Sequence, residues 1–167
     1  GQVKLRHTAI GLNFIDVYTR SGLYQTPLPN AVGREAAGVI VEVGPRVKGF
    51  KKGDRVAYCG VLGAYCQERL MGVDQLVKVP TGVSDEQAAA IMLKGLTAHY
   101  LLRRTYRVKK GDWVLVHAAA GGVGLLLCQW ARALGARVIG VVGSTAKAAL
   151  AKQHGCHHVL LSGRDDI

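Results

Sequence analysis

The sequence reads as an α/β protein in two parts, a β-rich, barrel-like part followed by one βαβαβ half of a doubly wound parallel sheet. Three observations carry that reading. Up to about residue 90 the chain holds short β-rich runs punctuated by Gly and Pro, among them AAGVIVEVG, DRVAYCG and DQLVKVP. From residue 113 onward, short apolar strand-like runs alternate with segments of helical length. Between the first of those runs, WVLVH, and its helix stands AAAGGVG, with no polar spacer in front of it.

The first element is the alternation VKLRHTAIGLN, a half-buried strand. The three β runs follow, the last ending at Pro80. SDEQAAAIMLKGLTAHYLLRR is helical, because Ser84 stands at the N-cap with Gln87 three residues on, and Gly95 is expected to break it. TYRVKKGD is a linker. Then come a strand (Trp113 to His117), a glycine turn, a helix (Gly122 to Leu134), a strand (Arg137 to Val142), a helix (Thr145 to His154) and a strand (Val159 to Leu161). The expected domain division is 1–106, β-rich with a connecting helix, and 107–167, the nucleotide-binding half. No internal repeat or low-complexity segment is present.

With 167 residues and 49% hydrophobic content, the chain is too apolar and too varied for disorder. It has no run of about 18 consecutive apolar residues, and its N-terminus has no apolar core of signal-peptide length, so no membrane partner is expected. The four cysteines, Cys59, Cys66, Cys128 and Cys156, include no C-x-x-C pair, which fits reduced thiols in a cytoplasmic protein. A formal net charge of +11 is compatible with nucleic acid, a membrane surface or an anionic small molecule, and does not choose among them. The chain begins without Met almost directly in a strand and stops just after another, so it reads as truncated at both ends.

The glycine turn carries the chemistry. Read from Ala119, A-A-G-G-V-G matches the dinucleotide fingerprint with Ala in its first position, and it lies between a strand and a helix as the mechanism requires. Gly121 would let the backbone approach a pyrophosphate, and Gly124 would let helix and strand pack closely. The amides around Gly121, Gly122, Val123 and Gly124 would face the phosphates at the positive end of the helix. An NAD site normally has an Asp or Glu about 20 residues beyond the glycines, accepting from the ribose 2′-OH. Here no carboxylate lies between Asp112 and Asp165. Gly143, Ser144, Thr145 and Lys147 stand at that point instead, suited to a 2′-phosphate, so NADPH is the expected cofactor. Ser144 and Thr145 are also natural helix-capping residues, and the two roles can coexist.

GDWVLVHAAAGGVGLLLCQWAR, through Gly111, Asp112, Leu115, Ala119, Ala120, Gly121, Gly122, Gly124, Gln129 and Arg132, resembles the signature of the zinc-free NADPH:quinone oxidoreductases. These are the zeta-crystallin-like enzymes of the medium-chain dehydrogenase/reductase superfamily. GLNFIDVYTRSGLY, GREAAGVIVEVG, KKGDRV, GAYCQE and LKGLTAHYLLRRTYRVKKGD follow the same family in the same order. The resemblance implies a GroES-like catalytic domain, the first half of a Rossmann fold, a quinone as electron acceptor, and a homodimer when the chain is full length. It puts Asn13, with Phe14, Ile15 and Asp16, at the floor of the active-site cleft, Thr97 near the nicotinamide, and Tyr24 beside the acceptor with its hydroxyl available as a donor. Asp16, Arg20 and Glu35 also match family positions, where buried pairing and catalysis are both open.

Zinc-dependent relatives carry a His ligand where this chain has Arg34, a guanidinium that cannot ligate a cation, so no metal is expected. Cys128, beside Gln129 on the helix, is read as a small core residue rather than a nucleophile. Where relatives have an Asn-Tyr-Arg-like run after the third strand, this chain has Leu161, Ser162, Gly163 and Arg164, which removes an aromatic contact that Arg164 is the candidate to replace. Two other readings stand. Enoyl-thioester reductases share these patterns, with Tyr24 as proton donor. A non-enzymatic NADPH- or RNA-binding protein would use the basic clusters Arg46–Lys52 and Arg103–Lys110, which solvated loops explain more simply.

Overall fold

A computed structural model describes residues 1–165. The chain forms two compact units, residues 1–93 and the remainder from residue 94.

In the first unit, strands β1 (Gln2–Gly11), β2 (Glu35–Val43), β3 (Arg55–Cys59), β4 (Glu68–Gly72) and β5 (Val77–Lys78) form an antiparallel sheet in the order β4-β1-β2-β3-β5. The ladders run from β4 to β5 and do not join the two, and β5 is only two residues long. Alternation decides the faces: Val3 and Leu5 turn into a core with Ile40, Val56, Tyr58 and Met71. Their neighbours Lys4 and Arg6 turn outward onto Glu68, at 3.0 and 2.8 Å. One polar chain enters this core. Arg69 donates to the Tyr58 hydroxyl at 3.2 Å, which lies 3.1 Å from His7 Nε2, and His7 Nδ1 lies 2.7 Å from the Cys66 carbonyl.

Ala37 and Ala57 on the sheet make a second small core with Ala88 and Ala89 of helix α2 (Asp85–Tyr100). Small side chains there let the helix backbone come close. At Gly11 a Cβ would lie 2.3 Å from the Ala89 carbonyl oxygen, so this position needs glycine. The helix starts as expected. The Ser84 hydroxyl accepts from the Gln87 amide at 3.2 Å, and Gln87 Oε1 accepts from the Ser84 amide at 3.0 Å. Asp85 ties its first turn to the sheet through Thr8 and Arg55, both at 2.6 Å.

The expected break at Gly95 does not occur. An interior glycine costs only about 1 kcal/mol against Ala, which the rest of the helix outweighs, and α2 continues to Tyr100 before a π-helical turn, Leu101–Thr105, ends it. A second element went unsignalled: FIDVYTR forms a helix, α1 (Phe14–Arg20). Phe14 and Val17 are exposed on it, so it lacks the apolar stripe that marks a helix in sequence.

The second unit contains β6 (Trp113–His117), α3 (Gly122–Ala133), β7 (Arg137–Val142), α4 (Thr145–Gln153) and β8 (His158–Leu161), each within one residue of expectation. The strands are parallel in the order β6-β7-β8, with Leu115 opposite Ile139 and Val141 opposite Leu160. Their core gathers Val116, Ala119, Ala131, Val138, Val142, Ala151, Cys128 and Cys156. Cys128 is buried, as expected of a core residue, with the Cys156 sulfur 3.3 Å away. Burial, aided by that neighbour, pushes the Cys128 thiol up to about 12.

Candidate dinucleotide and acceptor site

Where β6 ends, the chain turns through Ala118, whose φ of 49° is left-handed and costs a residue with a Cβ about 1–2 kcal/mol. Its carbonyl then accepts from the Gly121 amide at 2.8 Å, closing the turn. α3 begins at once, with Gly121 as N-cap and no side chain capping it. The first-turn amides of Gly122, Val123 and Gly124 have no acceptor within the helix. At Gly124 a Cβ would lie 2.2 Å from the Ala118 carbonyl oxygen and 2.8 Å from Ala119 Cα, so helix and strand can approach this closely only over glycine.

The turn opens on a cleft of about 330 Å³ at the carboxyl ends of the parallel strands, where open α/β sheets take their ligands. His117, Ala118, Ala120 and Gly121 line one side, Val141, Val142 and Gly143 the other, with Lys147 and Ser162 at its rim. Ser144 caps α4, its hydroxyl accepting from the Lys147 amide at 3.3 Å, which leaves its own proton free to donate. Thr145 opens α4 and is exposed, and Gly143 faces open space, with nothing within 4 Å of an added Cβ. Asp165 is engaged by the Leu161 amide at 2.7 Å, and Arg164 lies against Asp165 at 3.6 Å while Ser162 takes the place at the cleft. The residues fit a dinucleotide phosphate: free amides at a helix N-terminus, glycines at Gly121 and Gly143 in the cleft wall, and a cation, Lys147.

Thr97 is half-buried on α2. Lys94, three residues earlier on the same helix face, lays its stem where a Gly122 side chain would be, with Cδ 2.9 Å from that position. The motif did not reveal Lys94, His117 or Ser162. The last two were accessible in principle, because residues that end parallel strands face the ligand edge.

In the first unit, Asn13 follows β1 and stands at the N-cap of α1. Its amide Nδ2 donates to Glu35 Oε2 at 2.6 Å, while the Leu93 amide donates to Glu35 Oε1 at 2.9 Å. Asp16 Oδ2 accepts from the Asn13 backbone amide at 3.0 Å and from the Tyr65 hydroxyl at 3.1 Å. Asn13, Asp16 and Glu35 are all buried. Both carboxylates therefore hold the loop. Phe14 is exposed and Ile15 half-buried. Tyr24 is half-exposed, its ring 5.3 Å from Tyr18, which lies 5.6 Å from Phe14, so the three make an open aromatic row. Among the described residues two buried side-chain atoms lack a hydrogen-bond partner, Asp16 Oδ1 and Arg34 Nε. No group of three His, Cys, Asp or Glu among the described residues is close enough to hold a metal ion, and no helix among them is long and apolar enough to cross a membrane.

Comparison with known proteins agrees with these features. Residues 1–108 match the alcohol dehydrogenase GroES-like domain, and residues 122–167 match the family described as zinc-binding dehydrogenase. The chain is 57% identical to a quinone oxidoreductase of Pseudomonas aeruginosa over 99% of its length and 52% of that relative's. It is 52% identical to a 2-haloacrylate reductase of a Burkholderia species over its whole length and 52% of that relative's. Among solved structures, the quinone oxidoreductase of Escherichia coli complexed with NADPH superposes with a TM-score of 0.95 at 50% identity, over 99% of this chain and 51% of that one. The chain thus spans about half the length of the relatives it matches. By the domain match over 1–108 and by its quinone oxidoreductase homologues, this chain belongs to the alcohol dehydrogenase GroES-like family of the medium-chain dehydrogenase/reductase superfamily.

Proposed function

We propose that the protein is an NADPH-dependent quinone oxidoreductase that works without zinc or flavin, in the cytoplasm, and as a homodimer when full length. The observation that carries this reading is the cleft at the glycine turn, which Gly143 and Lys147 line, with Ser144 and Thr145 between them in sequence, in place of the carboxylate an NAD site uses. The amides of Gly121, Gly122, Val123 and Gly124 receive the pyrophosphate, while Lys147 and the hydroxyls of Ser144 and Thr145 hold the 2′-phosphate. Bound NADPH supplies a hydride. Asn13, Phe14, Ile15 and Thr97 orient the nicotinamide and acceptor, Asp16 contributes to the cofactor site by holding the Asn13 backbone, and the half-exposed Tyr24 hydroxyl donates to an acceptor oxygen. Glu35 holds one N–H of Asn13 and so fixes the plane of its amide. The domain division at 106/107 belongs to the same reading.

Reduction of an electron-poor C=C bond, as in enoyl-thioesters, is the second reading. It is favoured by the open Tyr24 hydroxyl and by the likeness to a 2-haloacrylate reductase.

Cofactor titration by fluorescence in the intact protein tests the first reading. One or two charge-assisted contacts imply that NADPH is preferred over NADH roughly tenfold to several hundredfold. Lys147→Ala should weaken NADPH far more than NADH. Equal affinities in the unmutated protein, or equal weakening by Lys147→Ala, would overturn it. Parallel turnover with quinones and with enoyl-thioesters separates the two acceptor classes.

A further inference from the structure

Helix α3 begins with nothing of its own to satisfy its first amides. Its first intrahelical hydrogen bond runs from the Leu125 amide to the Gly121 carbonyl at 2.8 Å, no side chain caps it, and no acidic residue stands in its first turn. The amides of Gly122, Val123 and Gly124 therefore keep their donors for an acceptor outside the helix, at its positive end. A cation from another helix is brought to the same place. Lys94, half-buried on α2, runs its stem past Gly122, the first residue of α3: a Cβ there would lie 2.9 Å from Lys94 Cδ, 3.0 Å from Cε and 3.8 Å from Cγ. Glycine leaves that path open, and Nζ lies one bond beyond Cε. The contact is direct, between the lysine side chain and the residue whose amide opens the helix.

Two positive features that converge on one point act on an anion in the same direction, and their arrangement says which anion. Amides at a helix start take phosphate oxygens, and an ammonium adds a compact charge with three donors and no fixed plane. Lys147 stands elsewhere in the site, with Gly143 at the end of β7. We infer that Lys94 is a second cofactor-binding cation, which engages the pyrophosphate bridge and so serves NADPH and NADH alike, while Lys147 serves the 2′-phosphate alone. This rests on the dinucleotide reading given above. Lys94 then sets how tightly any dinucleotide is held, and Lys147 sets which one is chosen.

Calorimetry on the intact protein tests this with two redox-inert ligands. ADP-ribose carries the pyrophosphate without nicotinamide or 2′-phosphate, and adenosine 2′-monophosphate carries the 2′-phosphate without a pyrophosphate. Lys94→Gln should weaken ADP-ribose at least about tenfold, the scale of one charge-assisted contact, and change adenosine 2′-monophosphate by less than about twofold. Lys94→Arg should keep most of the ADP-ribose affinity, since it keeps the charge. Lys147→Ala should give the reverse pattern. NADPH and NADH should weaken by the same factor in Lys94→Gln, leaving their ratio unchanged. The inference is overturned if ADP-ribose does not bind the unmutated protein, or if Lys94→Gln leaves its affinity within about twofold. It is also overturned if that substitution weakens both ligands equally, the result expected of a residue that only supports the fold. Dependence of ADP-ribose on Lys94, with neither ligand changed by Lys147→Ala, would keep this inference and discard the 2′-phosphate pocket.

Discussion

The two units build their chemistry by opposite means. In the second, backbone does the work: free amides at the start of α3, a close helix–strand approach over Gly124, glycines at positions 121 and 143 of the cleft wall, and strand ends that deliver both sides of the cleft. In the first, side chains reach partners remote in sequence, Asn13 to Glu35 across 22 residues, Asp16 to Tyr65 across 49, and Glu35 to the Leu93 backbone amide across 58. A backbone site is fixed by local conformation. A side-chain site depends on the fold bringing distant partners together, so the two should fail differently when mutated.

Gly124→Ala should have the largest effect. Its Cβ would sit 2.2 Å from a carbonyl oxygen, and neither backbone segment can give way without opening the turn. Overpacking of this kind costs about 1–3 kcal/mol or more. Cofactor binding and melting temperature should fall together, and normal values of both would break the claim that the close approach is obligatory.

Glu35→Gln comes next, and it probes the other unit. An amide replacing the carboxylate can accept through one oxygen only, so either the Asn13 amide or the Leu93 amide loses its acceptor or meets a donor. Leaving a buried donor unsatisfied costs about 1–3 kcal/mol. The melting temperature should fall, and turnover should fall beyond what stability explains, with NADPH affinity at the glycine turn unchanged. Loss of that affinity would show that the two constructions are not independent.

The same contrast decides what could be read in advance. β6 and β7 were placed to the residue, because buried parallel strands are continuous apolar runs and the glycine turn marks where one stops. Gly143 and Lys147 followed from counting residues beyond that turn. The Tyr65 bond to Asp16 had no sequence signature, since no spacing rule links residues 49 apart. α1 went unsignalled because its apolar residues Phe14 and Val17 face outward. Gly95 misled in the other direction, as a weak local preference that its helix overrode.

Gly143→Asp should have a smaller effect on stability and a sharper one on selectivity. The position has open space and an ordinary backbone, so the change should stay within about 0.5 kcal/mol. The new carboxylate would repel a 2′-phosphate and accept from a ribose hydroxyl, moving preference toward NADH by about tenfold. Competitive titration of the two cofactors measures it, and an unchanged ratio would mean that the 2′-position lies elsewhere in the cleft.

The smallest effect concerns His7, in the side-chain-built unit. Its Nδ1–H donates to the Cys66 carbonyl, so Nε2 is the unprotonated nitrogen and accepts from the Tyr58 hydroxyl, which in turn accepts from Arg69. A proton on Nε2 would displace the Tyr58 proton from its acceptor, in a chain that already ends in a cation. Burial is the main cause that lowers the His7 pKa below its ordinary value, and the Arg69 charge works in the same direction. In the window between the folded pKa and the unfolded value of about 6.5, the unfolded chain therefore binds more protons than the folded one, and stability rises with pH. The contribution is fully present above the unfolded value and is lost as pH falls through the folded one. Melting temperature followed from about pH 7.5 down to about pH 5 should decline more steeply in the unmutated protein than in His7→Gln, which cannot titrate. Parallel curves for the two would mean that the Arg69–Tyr58–His7 chain is indifferent to protonation, and that the side-chain-built unit tolerates a broken link as easily as the backbone-built one tolerates an exposed substitution.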